Sequence, residues 1–266
     1  MTRFPRTLLL ALLLAVGATA HAAGLPDTGQ DTCYDNSAAD GVAASDPASI
    51  ARDLGTHPRQ DCRYGRDAAA AAGQLTKIGA GAKGFDYTKI ANNGTVLAAD
   101  AALGSAASDW ACTKDNITGL TWEVKTDDTG LRDKDWTYTW HNTTATENGG
   151  NAGSTGANTC NATLPSNLCN TQAFVTAVNA ANLCGNSTDW RLPTQRELLT
   201  LVHADGSSPS IDPTYFLNTN ASSFWSGSSY VPDPADAWIV DFSNGYTYDS
   251  SKSFSFGARL VRGGQF

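Results

Sequence analysis

The side chains in this 266-residue chain most able to act as bases, nucleophiles or soft metal ligands are four histidines and six cysteines. Hydrolysis by a serine- or cysteine-type mechanism needs a base oriented against a nucleophile. Once an expected N-terminal leader is removed, His57, His141 and His203 remain, and none has such a neighbour in the sequence. Zinc would call for clustered His and Cys or a helical His-Glu-x-x-His, and neither pattern occurs. Hard-cation chemistry has a clearer candidate, because Asp127, Asp128, Asp133 and Asp135 are crowded into nine residues. Their spacing departs from the alternating ligands of a twelve-residue calcium loop, so a solvated acidic loop is the favoured account and calcium the alternative. Aromatics then fall on every second position, Trp136, Tyr138 and Trp140, followed by His141. Alternation puts the three rings on one face of a strand, where they serve either as core, the favoured account, or as a platform on which a sugar stacks. With Tyr230, Asp233 and Asp236 they make up the candidate ligand contacts.

Composition limits the partners. Arg3 and Arg6, the apolar run from Leu8 to Val16 and then Ala20-His21-Ala22 follow the order of a secretory signal peptide, with cleavage expected after Ala22. That apolar run is shorter than the roughly 20 residues of a membrane span, and no later stretch approaches that length. Removing the leader takes away two of 18 basic residues and none of 26 acidic ones, so the net charge moves from −8 to −10. Such an acidic chain lacks the basic footprint that nucleic acid or a sulfated polysaccharide requires. In an exported protein six cysteines without Cys-x-x-Cys spacing imply three disulfides. If residues 171–184 form one helix, Cys169 and Cys184 lie about 20 Å apart at about 1.5 Å per residue. A disulfide needs Cα atoms within about 7 Å, which excludes that pair. Among the remaining pairings Cys33 with Cys62, Cys160 with Cys169 and Cys112 with Cys184 are favoured, without a geometric derivation.

The elements that would position these residues centre on Asp189-Trp190-Arg191-Leu192-Pro193-Thr194-Gln195-Arg196-Glu197-Leu198-Leu199. Thr194 and Glu197 have capping-box spacing, so a helix should begin near Pro193, with Leu198, Leu201 and Val202 as its apolar stripe. Pro193 biases Leu192 toward extended backbone, so Trp190 to Leu192 should enter as a strand-like segment. Upstream, Asn170 or Thr171 caps an expected helix whose Phe174, Val178 and Ala181 share a face, and Gly185 is placed to terminate it. Asn92-Asn93-Gly94 sits between the β-prone runs Tyr87 to Ile90 and Thr95 to Leu97, predicting a hairpin. Trp110 to Val124 predicts a further strand, centred on Leu120 to Val124 after a turn at Asp115-Asn116, and residues 142–165 a long surface loop. Strands are expected over Ser223 to Tyr230, Ala237 to Phe242, Tyr246 to Asp249 and Phe254 to Val261, as an antiparallel meander with a turn at Asn244-Gly245. Trp122, Trp225 and Trp238 are expected in the core, and Arg259 and Arg262 in salt bridges or backbone bonds. Residues 23–84 are too poor in large apolar groups to form a core of their own. The Ala-rich run after Asp67 reads equally well as a turn or two of helix or as a linker.

Thr118-Gly119-Leu120-Thr121-Trp122-Glu123, Trp190-Arg191-Leu192-Pro193-Thr194, Phe224-Trp225-Ser226, Ala237 to Phe242 and Arg259 to Gly264 occur in the order of the DUF1566 family, also called the Lcl C-terminal domain. Over roughly residues 85–264 the chain resembles that family. The resemblance implies an α+β, C-type-lectin-like fold in a bacterial envelope or secreted protein, with two short helices on a curled antiparallel sheet, long loops and disulfide staples. It also implies a binding or adhesion role. Tyr64-Gly65-Arg66-Asp67-Ala68 resembles an element that precedes the domain in relatives, with Arg66 where they carry glutamine. The formylglycine-generating relatives use cysteines near the C-terminus, and here none follows Cys184. The Glu-Pro-Asn and Gln-Pro-Asp triplets of calcium-dependent lectins are also missing.

The expected organisation is a signal peptide over 1–22, an N-terminal extension over 23–84 and the family domain over 85–266. The expected function is non-catalytic binding or adhesion at the bacterial envelope, secreted or periplasmic, toward a glycan or protein ligand, with no nucleic acid and no membrane span. An assembly component of an envelope structure is the alternative. Trp122, Trp190, Arg191, Pro193, Glu197, Trp225, Trp238 and Arg259 are assigned structural roles. No cofactor is expected beyond the calcium candidate.

Overall fold

The computed structural model describes residues 27–30, 32–34, 42–43, 60–206 and 208–264. The expected signal peptide and His57 lie outside them. Among the described residues strands dominate, in two sheets and a ribbon, with three short helices and three disulfides. The ribbon pairs β1 (Thr32–Cys33) with β2 (Val42–Ala43). The first sheet has the order β11-β5-β4-β3 and is antiparallel throughout, from β3 (Tyr87–Ala91), β4 (Trp110–Asp115), β5 (Thr121–Glu123) and β11 (Val261–Arg262). The second has the order β6-β10-β7-β8-β9, from β6 (Tyr138–Thr139), β7 (Ser223–Ser229), β8 (Asp236–Asp241), β9 (Tyr246–Ser251) and β10 (Ser255–Ala258).

Several expectations need correction. The expected single curled antiparallel sheet is two sheets, and β10 runs parallel to β7, with Gly257 opposite Phe224, because residues 251–254 carry the chain from the far edge strand to the inner side of β7. Only β7, β8 and β9 form the expected meander, turning at Gly245 with φ 78°. Trp110 to Val124 is a hairpin of two strands, since Asp115 turns the chain by accepting the Ile117 N–H and the Thr118 hydroxyl. The Asn92-Asn93-Gly94 turn is present, but its second arm is a single bridge, Ile90 to Val96, and β4 is the main partner of β3.

The Ala-rich run is helical, as α1 (Gly65–Ala71). The next helix, α2 (Thr171–Ala180), stops short of the expected end because Asn182 and Cys184 take left-handed backbone. Ala181 is therefore exposed while Phe174 and Val178 are buried, and Leu183 takes the third apolar place. α3 (Gln195–Leu199) has the full capping box, and Leu198 and Leu201 are completely buried. The core between the sheets gathers Tyr87, Leu120, Trp122, Leu198, Phe224, Val240 and Val261. Trp225 is buried, whereas Trp238 is only partly covered, its ring edge-on to Tyr230 at 5.1 Å. Asn179 clamps the Trp190 main chain from both sides, and the Trp190 indole donates to the Leu183 carbonyl. The disulfides are Cys33–Cys62, Cys112–Cys184 and Cys160–Cys169, the favoured pairing.

Arg259 is buried with no exposed surface; it donates to the Glu123 carbonyl and the Thr219 hydroxyl beneath the rings of Phe216 and Phe224. Glu123 accepts the Leu260 N–H and pairs with Lys125 at 3.0 Å. These contacts tie the last strand to β5, as Trp122 opposite Val261 does in the ladder.

Candidate functional site

A cavity of about 570 Å³ opens between the 141–147 loop, the outward face of α2, the Arg191 to Thr194 strap and Gly227 of β7. Its floor is apolar, from Val175 and Leu192, and its walls carry His141, Asn142, Glu147 and Gln172. α2 sets this face because Phe174 and Val178 are drawn into the core, which turns Gln172, Val175 and Thr176 outward. The Asn170 side chain accepts the Ala173 N–H and so fixes where the helix starts.

The loop is built onto that first turn. Thr171 Oγ accepts the His141 N–H at 2.9 Å and donates to its carbonyl at 3.0 Å. Gln172 accepts the Thr143 N–H and donates to the Thr143 hydroxyl. Asn142 accepts the Thr144 N–H and donates to Glu147 at 3.1 Å. Behind the loop, the buried Lys252 ammonium donates to the carbonyls of Asn148, Asn151 and Pro234 and sits 4.1 Å from the Trp140 ring centre. One cation thus sets the height of two loops, since three main-chain oxygens converge on it.

On the strap, Arg191 makes a bidentate pair with Glu197, both bonds at 2.7 Å. Glu197 also accepts the Thr194 N–H at 2.8 Å. Burial works against its charge, but Arg191 and the Thr194 N–H outweigh it and hold the carboxyl below the usual glutamate value. The Gly227 N–H donates to the Pro193 carbonyl at 2.7 Å, joining strap and sheet. His141 Nδ1 is buried and has no hydrogen-bond partner among the described residues.

Of the seven candidate ligand contacts, His141 lines this cavity. Tyr138 and Trp140 are corrected to core: neither has exposed surface, so neither ring can stack a sugar, and the Trp140 indole donates to the Ser226 carbonyl. Trp136 is half-buried elsewhere, donating to the Gly130 carbonyl. Tyr230, Asp233 and Asp236 lie at the β7–β8 turn, where Asp233 accepts the Ala235 N–H. Two residues given structural roles, Arg191 and Glu197, are part of the cavity wall. Asn142, Glu147, Gln172 and Lys252 were missed. The polar run after His141 was the available signal for the first two; nothing local marks Lys252.

In the acidic loop, Asp127, Asp133 and Asp135 do converge. Lys134 pairs with Asp127 at 3.2 Å and Asp135 at 3.0 Å, and Asp133 accepts the N–H groups of Asp128, Thr129 and Asp135. Asp128 is occupied by the Thr126 hydroxyl and the Gly130 N–H. The cluster is satisfied from within, which is the solvated-loop account. His203 lies apart from His141, against Phe85, with centroids 5.6 Å apart.

Residues 111–262 match the family described as the Lcl C-terminal domain. No curated protein and no solved structure matches the chain. The matched span is more than half of the 266 residues and contains β5 to β11, all of β4 but its first residue, α2, α3 and the whole cavity wall; the chain belongs to the Lcl C-terminal domain family.

Proposed function

We propose that this protein is a non-catalytic, exported binding module of the bacterial envelope, and that its ligand sits in the cavity between α2 and the Arg191 strap. The observation that carries the reading is the wall itself. Two carboxamides, two carboxylates and a guanidinium surround an apolar floor, a set of donors and acceptors that suits a hydroxyl-rich ligand such as a glycan. The net charge of −8 argues against sulfated polymers. Three disulfides accord with an oxidising compartment, and no helix among the described residues is long and apolar enough to cross a membrane. The fold is read as C-type-lectin-like, supported by the β5–β11 pairing that closes the chain's end onto its early strands. The proposed organisation remains a leader over 1–22, an extension over 23–84 and the family domain over 85–266.

Two other readings each have an observation behind them. β9 is a sheet edge with exposed Tyr246 and Tyr248, a surface on which another protein could add in an assembly role. The cavity also places His141 with Glu147 and Glu197, the arrangement an acid–base enzyme would require. Against the enzyme reading, Glu197 is fully engaged by Arg191 and Thr194, and no side chain orients His141. A glycan array and a protein pull-down on the full chain separate the three. Saturable glycan binding without turnover, lost in His141→Ala, supports the cavity reading. Protein capture lost in Tyr246→Ser with Tyr248→Ser supports the edge, and cleavage of a bound glycan supports the enzyme.

A further inference from the structure

A second acidic cluster lies on the opposite side of the sequence from the one its spacing advertises. Asp27, Asp61 and Asp67 each present a carboxylate oxygen, and these oxygens lie within 4.8 Å of one another. Two oxygens on one ion at about 2.4 Å can be up to about 4.8 Å apart, so the three carboxylates are close enough together to share a calcium-class ion. Asp67 has no exposed surface and Asp27 only 7%.

The independent observation is what these buried groups lack. Asp67 Oδ1 accepts the Gly84 N–H at 2.9 Å, but Asp67 Oδ2 and Asp27 Oδ2 accept no hydrogen bond. Buried carboxylate oxygens without donors are costly and rare. Gly84 makes room for the Asp27 carboxylate: a Cβ added there would meet Asp27 Oδ2 at 1.6 Å. The nearby cations make no hydrogen bond to these carboxylates, although the Arg66 charge is near enough to act on Asp27. Arg66 donates through Nε to the Gly84 carbonyl and turns toward Asp86 at 3.8 Å. Lys77 donates to the carbonyls of Gly81 and Lys83, and Lys83 pairs with Asp205 at 2.8 Å. The contrast with Asp127, Asp133 and Asp135 is direct, because those groups are satisfied by Lys134 and three N–H donors.

We infer that Asp27, Asp61 and Asp67 form a site for a hard divalent cation of the calcium class, which clips the N-terminal segment and the Cys62 turn to α1. Asp61 also accepts the Thr28 hydroxyl, so a proton shared between Asp27 and Asp67 is the rival account that the test below separates from a cation. α1 has a single buried residue, Asp67 itself, so the clip supplies anchoring that apolar packing does not.

The test is calorimetric titration of EDTA-treated full chain with CaCl2, with thermal melts alongside. One ion per chain and an upward shift of the melting temperature are expected. Asp27→Asn with Asp67→Asn should weaken binding at least about tenfold, while Asp127→Asn with Asp135→Asn leaves it unchanged. Should the first pair fail to fold, Asp61→Asn, at a half-buried position, takes its place with the same expectation. No heat and no thermal shift up to about 10 mM, beyond the 10⁻⁴–10⁻³ M range of extracellular calcium modules, overturns the inference. So does unchanged affinity in the Asp27, Asp61 or Asp67 variants. Stability that falls as the pH rises from about 4 to about 8 and then levels off, with no response to calcium, assigns the cluster to a shared proton instead.

Discussion

Glu197 does three things at once: it completes the α3 capping box, neutralises Arg191 and helps wall the cavity. Glu197→Ala removes a cap contact and two charged hydrogen bonds, and the half-exposed Arg191 recovers part of the loss from water. Denaturant unfolding should show a loss of about 2–3 kcal/mol. The pH dependence has a definite sign. Glu197 is held below its ordinary value of 4.5, so its contribution is complete above that pH and disappears as pH falls through its folded-state value. The stability gap between wild type and Glu197→Gln should be flat above pH 4.5 and narrow below it; a gap that widens in acid would contradict this. Trp190 is 2% exposed with its indole and main chain both bonded, so Trp190→Ala should cost about 3–5 kcal/mol, and a loss below 1 kcal/mol would contradict its burial.

Between elements, the disulfides differ in what they restrain. Cys112–Cys184 joins β4 to the turn after α2 across 72 residues, whereas Cys160–Cys169 closes a loop of 9. Chain entropy then assigns about 4 kcal/mol to the first and about 2.5 kcal/mol to the second. Urea unfolding of the paired Cys→Ala variants should rank them in that order, and a reversed order would show that native contacts outweigh the loop entropy. Local signals were the readable ones. The Thr194–Glu197 cap, the Asn244-Gly245 turn and the apolar stripe of Phe174 and Val178 depend on neighbours in sequence, and each is where its spacing placed it. The parallel β7–β10 pair depends on how residues 251–254 travel in space, which no local spacing encodes. The aromatic alternation at Trp136, Tyr138 and Trp140 gave only the two-residue strand Tyr138–Thr139 and not its burial, because the cover comes from afar: Phe174 of α2 stacks on Tyr138, and β7, β8 and β10 enclose Trp140. Lys252 and the Asp27, Asp61, Asp67 cluster bring together groups distant in sequence, and so were illegible.

At the scale of the molecule, two sheets enclose a core and hand the outer face of α2 to a polar cavity, while an acidic surface selects against polyanions. The chain should therefore pass a heparin column unretained at low salt, where a basic footprint would show itself most strongly; retention that salt reverses would contradict the charge argument. The claim on which everything else rests is the location of the ligand. Amide NMR shift mapping of the full chain with a glycan selected on an array tests it most directly. The expected result is saturable shifts confined to residues 141–147, 172–176 and 191–194, abolished in Gln172→Ala. Shifts centred on the β7–β8 turn or on β9, with residues 172–176 unmoved, would contradict it.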